Sequence, residues 1–311
     1  MQIQHQLLSE KLKVFFIVFG VWAFATFWNI NKAFHIDDIY YLDIASWIKD
    51  HPWHPMIGLV YYSDLFIPIH EVNQPHFYFY LMALWEYFFG ISEIAIHSLM
   101  AIFTLWAIYG VMRLSRLLIP KHYLLATVFF GLGPAFVINQ NTMVDVPMMA
   151  IWIEFYYQLV KPTKNDWLKY VFLGILCGVA ILIKYTSLVL LPVMILEVVI
   201  RKKYKNLLWI IFPLGMIVGW SIFNYLDYGG IHLLGRGLTD HYVFAYVRQS
   251  IWFIGVLGAI CPCALMFFAL AARQSQHPKR WLLFFCMSCI SYFLVILSIL
   301  YSPWENIEST R

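Results

Sequence analysis

Residues 92–112 read SEIAIHSLMAIFTLWAIYGVM, a run of 21 residues whose single charge, Glu93, sits at its edge. About 20 consecutive apolar residues are what a helix needs to cross the hydrocarbon core of a bilayer. Comparable runs cover about 13–30, 122–139, 143–160, 168–183, 186–200, 207–226, 250–271 and 281–301. Membrane-spanning strands would instead show alternating segments of about ten residues. The reading is therefore an all-α polytopic membrane protein with about nine transmembrane helices, its 311 residues forming one transmembrane domain. Composition agrees: 62% of the residues are hydrophobic, 19% aromatic and 12% charged, with a mean hydropathy of +0.71. A soluble domain carries about 25% charged residues, so a water-soluble enzyme is excluded. Disorder is excluded as well, because a disordered chain is poor in apolar residues. No basic block interleaved with aromatics points to nucleic acid.

Between the first two runs lies the stretch 31–91, polar, aromatic and proline-bearing. Its amphipathic pieces, Tyr40 to Ile48 and Phe77 to Phe89, read as helices lying at the membrane surface. Loops that stay in the cytoplasm retain Lys and Arg. With the N-terminus inside, the inner segments hold 15 of the 21 basic residues, among them the cluster Arg201, Lys202, Lys203 and Lys205. The 31–91 loop then lies outside the cytoplasm. The acids do the reverse, with 13 of 17 on the outer side or at its edge. Acids contribute little to topology, so either a chemical site or a solvated loop surface accounts for them. The first span reads as an uncleaved signal anchor. The five cysteines, Cys177, Cys261, Cys263, Cys286 and Cys289, all fall in apolar runs and read as free buried thiols.

Four short stretches could carry chemistry. The first is His35-Ile-Asp-Asp-Ile-Tyr-Tyr41, just beyond the first span. Two adjacent carboxylates repel unless a metal, a cation or a substrate offsets their charge. Asp37 or Asp38 could equally cap the helix that follows. The second is Asn73-Gln-Pro-His-Phe-Tyr-Phe-Tyr80. The third, Asn139-Gln-Asn-Thr-Met-Val-Asp145-Val-Pro147, sets one carboxylate at the lip of a span, where it too could be a cap. The fourth is Lys184-Tyr185-Thr186, a lone cation in a turn, where lysine also serves to reach lipid headgroups. Glu154 and Glu197, inside the spans, read as helix–helix contacts or interfacial residues, and Gly174 with Gly178 as a close-packing pair.

In this order and spacing the pieces resemble the multi-spanning glycosyltransferases of the C-type fold (GT-C). The closest branch is the protein mannosyltransferase and aminoarabinose transferase group, which takes sugars from polyprenyl phosphates. The resemblance covers almost the whole chain. It implies that Asp37 is the general base, Asp38 its acidic companion and Asp145 the second carboxylate of the site. Tyr40, Tyr41, His76 and Lys184 fall at substrate-binding positions. The family commonly has His-Pro-Pro where this chain reads Gln74-Pro75-His76, so the histidine is displaced. No cofactor is certain; a divalent metal ion held by Asp38 and Asp145 stays open. The resemblance further implies a cell inner or plasma membrane location, a polyprenyl-phosphate sugar donor, and a lipid, glycan or protein acceptor outside the cytoplasm. Family members are longer, so the chain reads as C-terminally truncated. A catalytically inactive relative is therefore an alternative. A transporter or flippase is another, although transporters set ionisable groups near the bilayer midplane, between repeats, and here they gather on one face with no repeat.

The basic-residue bias gives a first test. Reporter fusions at Asn73 and at Lys203 should report opposite sides of the membrane; the same side for both would overturn the orientation.

Overall fold

In a computed structural model, residues 2–62, 65–72 and 74–234 are described. The expected spans at 250–271 and 281–301, with Arg236 and Arg248, lie outside them. The chain divides into two compact units, of which the first comprises residues 1–187 and 201–232. It contains α1 (Gln2–Phe27), α2 (Ile36–Asp50), a hairpin of β1 (Leu59–Tyr62) and β2 (Leu65–Pro68), α3 (Phe77–Phe89), α4 (Glu93–Leu118), α5 (Tyr123–Gly131), α6 (Pro134–Ile138), α7 (Asp145–Val160), α8 (Asp166–Ile183) and, after a further helix, α10 (Ile211–Tyr228). That further helix, α9 (Leu190–Ile200), belongs to the second unit. Among the described residues, α4, α8 and the stretch Tyr204–Tyr228 are long and apolar enough to cross a membrane.

Two expectations change. The run 122–139 is not one helix. After Gly131 the chain turns through Leu132 and Gly133, and α6 starts at Pro134. Proline lacks the N–H that would continue the ladder and disfavours helical backbone in the residue before it. The 31–91 stretch holds, besides the two expected helices α2 and α3, the antiparallel hairpin, in which Tyr61 pairs with Phe66 and Val60 with Ile67.

α4 is the organising helix, packed by α1, α3, α5 and α7. Its Arg113 pairs with Glu154 of α7, which also accepts from Gln158 at 2.7 Å. Glu154 is thus a helix–helix contact, as its position suggested. α8 packs against α10 through Gly174 and Gly178. A Cβ on Gly174 would come within 2.6 Å of the Trp209 carbonyl oxygen, and one on Gly178 within 3.2 Å of the Pro213 Cα. Small residues let helix backbones approach this closely where no hydrophobic drive separates protein from lipid.

The surface elements are tied down by polar contacts. Glu86 of α3 pairs with Lys49 of α2 at 2.5 Å and accepts from the Ser46 hydroxyl. Asp227, near the end of α10, accepts from His54 Nδ1 at 2.9 Å and from the Met56 backbone N–H at 2.8 Å. The loop after α2 is thereby fastened to a helix distant in sequence.

The glycine contact can be tested against a neutral site. Gly174→Ala must displace backbone and should destabilise the detergent-solubilised protein by about 1–3 kcal/mol. Gly219→Ala, with nothing within 4 Å of the new carbon, should leave the melting temperature unchanged or raise it. Equal melting temperatures for the two variants would show that the α8–α10 approach tolerates a methyl group.

Candidate active site

The site is built where the chain leaves α1. Asn29 Nδ2 donates to the Ala25 and Val137 carbonyls at 2.8 and 2.9 Å. Lys32 Nζ reaches Asn141 Oδ1 at 2.5 Å and the Ile138 carbonyl at 3.3 Å. The exit from α1 therefore grips the turn between α6 and α7. That turn is held from below by Thr104 of α4, whose hydroxyl donates to Gln140 at 3.0 Å. The polar run Gln140-Asn141-Thr142, noted from sequence only as the approach to Asp145, is consumed in these contacts.

The two adjacent acids separate in role. Asp38 is fully buried. Its Oδ2 accepts from the His35 backbone N–H at 2.7 Å, closing the first turn of α2. Its Oδ1 accepts from the Thr142 backbone N–H at 2.9 Å and from the Thr142 hydroxyl at 2.7 Å. Asp38 is thus the cap, and it is also the cross-link to the α6–α7 turn. Asp37 is half-buried and carries no hydrogen bond or ion pair among the described residues. His35 is exposed and serves as the N-cap residue.

Three residues beyond Thr142, Asp145 opens α7. It accepts from Lys184 Nζ at 2.7 Å, and both side chains are partly exposed. Lys184 follows the last residue of α8, and its own backbone N–H closes that helix on the Ala180 carbonyl. α7 and α8 are joined by a short connection and run back along each other, so the start of one and the end of the next meet.

Tyr40 links these groups. Burial, above all, raises its pKa, and the charges of Asp37 and Asp145 raise it further. It is a neutral phenol whose ring lies 4.6 Å from that of Tyr41 and 5.1 Å from Tyr62 of the hairpin. Tyr41 is buried against Phe79 at 5.0 Å and is likewise held neutral, chiefly by burial. Asp37, Tyr40, Asp145 and Lys184 therefore form one electrostatic neighbourhood, with Asp38 and Tyr41 behind it.

His76 is a different case. It is wholly buried, and neither ring nitrogen has a hydrogen-bond partner among the described residues. Burial holds its pKa well below the ordinary histidine range, with His232 adding to the effect. Its ring is 5.9 Å from that of His232 and 5.7 Å from Trp220. His232 bridges Tyr185, at 2.9 Å, and the Val72 carbonyl, at 2.7 Å, while Trp220 Nε1 donates to the same Tyr185 hydroxyl. Nothing in the apolar surroundings of Trp220, nor in the lone His232, signalled this cluster beforehand.

The described residues do not fit a divalent metal held by Asp38 and Asp145. Both Asp38 oxygens are engaged, Asp145 is neutralised by Lys184, and among the described residues no three His, Cys, Asp or Glu side chains gather as a ligand group. The cation beside Asp145 is an ammonium group of the chain itself.

Residues 73–224 match the family model of dolichyl-phosphate-mannose-protein mannosyltransferase. No curated protein sequence matches the chain. Among solved structures, ArnT from Cupriavidus metallidurans, bound to undecaprenyl phosphate, superposes with a TM-score of 0.62 at 16% sequence identity. The match covers 94% of this chain and 58% of ArnT, so the chain spans less than two thirds of that protein's length. In its sequence over residues 73–224 and in its fold over nearly the whole chain, this polytopic protein is similar to the C-type-fold glycosyltransferases.

Proposed function

We propose that the chain transfers a sugar from a polyprenyl-phosphate donor to an acceptor hydroxyl, with inversion at the anomeric carbon and Asp37 as the general base. The observation that carries the reading is the state of the two neighbouring acids. Asp38 is committed to three hydrogen bonds, whereas Asp37, beside Tyr40, has no hydrogen bond or ion pair among the described residues.

The chemistry needs little more than this. The leaving group is a phosphate monoester, which departs without a proton from the protein. The bond that breaks joins the anomeric carbon to the phosphate oxygen. The bond that forms joins the same carbon to the acceptor oxygen, and attack from the opposite face inverts the centre. The acceptor proton passes to Asp37. Negative charge grows on the departing phosphate, and preorganised cations stabilise it. Lys184 has three ammonium N–H donors; one is directed at Asp145, which leaves two for a phosphate. The neutral Tyr40 hydroxyl supplies a hydrogen bond to the sugar or the acceptor. Arg236 and Arg248 lie outside the described residues. His76 is buried and packs against Phe79 and Trp220. The basic-residue bias supports a site outside the cytoplasm, and the family resemblance supports an inner or plasma membrane location.

The test is sugar transfer in membranes supplied with radiolabelled polyprenyl-phosphate hexose and pentose pools. Asp37→Asn should insert and fold normally, and transfer should fall by about 10²–10⁴-fold, the usual contribution of a general base. Transfer equal to wild type would remove Asp37 as the base. Asp38→Ala should behave differently. It orphans the Thr142 N–H and hydroxyl, each worth about 1–3 kcal/mol when left unsatisfied in a buried place, and should lower the melting temperature of the purified protein. If Asp38→Ala leaves stability unchanged while transfer is lost, Asp38 acts on the substrate and not through the turn.

A further inference from the structure

We propose that the β1–β2 hairpin is a membrane-inserted element: its outward face lies in the headgroup region of the leaflet on its side, and it holds the Asp37 end of α2 at the lipid surface. The proposal goes beyond the transfer reaction and does not depend on it.

The strands carry no charged residue, reading Leu-Val-Tyr-Tyr and Leu-Phe-Ile-Pro. Directly paired residues of an antiparallel hairpin share a face. Val60 with Ile67 and Tyr62 with Leu65 make the face turned to the protein; Val60 is buried, Tyr62 packs on Tyr40, and Leu65, next to the turn, is half exposed. Leu59, Tyr61, Phe66 and Pro68 make the other face. An antiparallel pair with one side on the core and the other in water alternates apolar-in, polar-out. Here the outward side is as apolar as the inward one, and Leu59 and Phe66 are 61% and 71% exposed. In water this face would be a liability; in the interface, where aromatic rings concentrate, it is stabilising.

The depth is fixed by contacts inside the unit. Tyr62 meets Tyr40 ring to ring, and Tyr40 feels the charge of Asp145, the first residue of α7. α7 runs along α4, which is long and apolar enough to span the membrane. Tyr62, at the end of β1, therefore lies at the same end of the unit as the start of α7, and this is where we place the lipid headgroups. A second protein strand is a poor alternative occupant. The strands are four residues long, and Pro68 closes β2 with a residue that cannot donate to an added strand.

The experiment is spin-label accessibility in lipid nanodiscs of phosphatidylethanolamine and phosphatidylglycerol. Phe66→Cys is labelled with a nitroxide, and the signal of the identically treated parent protein is subtracted. Val218→Cys, on the exposed apolar side of α10, and Asp50→Cys, at the exposed end of α2, serve as references. Molecular oxygen partitions into lipid and a neutral nickel chelate into water. The Phe66 label should show an oxygen-to-nickel collision ratio several-fold above that of the Asp50 label and approaching that of the Val218 label. A ratio equal to that of Asp50 would overturn the proposal, because the face would then be in water. Low collision with both reagents would overturn it too, because protein would cover the face. Leu59→Cys repeats the measurement from the neighbouring strand and must give the same pattern.

Discussion

The buried carboxylate of Asp38 is the contact on which the rest of the site depends. A charged group taken out of water survives only if its lone pairs are met, and here three donors meet them, one from its own helix and two from Thr142. That single side chain joins residues 104 positions apart in sequence. It fixes the start of α2 against the turn that delivers α7, and so decides where Asp37, one residue earlier, can point. Without the tie, the two acids that open α2 would both be free to turn toward solvent, and neither would have a defined neighbour.

The same economy governs the other polar residues at this end of the unit. Asn29, Lys32, Thr104, Gln140 and Asn141 all bind the turn or the exit of α1. Near a membrane an unmet backbone group costs several kcal/mol, so irregular chain at helix ends has to be satisfied by side chains. The outcome is a stiff turn on which Asp145 and Lys184 meet. Their pairing neutralises each in a place of reduced dielectric, and it leaves Asp37 as the uncompensated charge beside Tyr40 among the described residues.

Much of this was legible in the chain. The long apolar runs marked the helices, and the small residues of α8 marked a close helix contact that Trp209 and Pro213 supply. The pairing of Asp145 with Lys184 brought together two residues already singled out. The division between Asp37 and Asp38 was not legible, because either acid satisfies a helix N-terminus equally well by local rules. Thr142 decides it, and its contact is long-range. The break at Gly133-Pro134 was written in the sequence but lost within a continuous apolar run, since hydropathy averages over a single proline. The hairpin was hidden for a similar reason. Its strands are apolar on both faces, so the two-residue alternation that betrays a half-buried strand is absent.

That last absence is itself a consequence of the solvent. In water, selection against exposed apolar side chains produces the polar-out alternation by which surface strands are recognised. At a lipid surface that constraint relaxes, and a strand can be apolar on both sides and still stay in place. The stretch between α2 and α3 accordingly mixes two kinds of anchoring. The Glu86–Lys49 pair joins the two helices that flank it, and the Asp227 carboxylate accepts from His54 within it, while Tyr62 on Tyr40 holds it by ring contact. The polar ties fasten the ends of helices, where unmet groups need partners. The ring contact fastens the hairpin at Tyr40 and adds no charge beside the Asp37 carboxylate. An aromatic contact positions the hairpin there without altering the charge balance on which the acid depends.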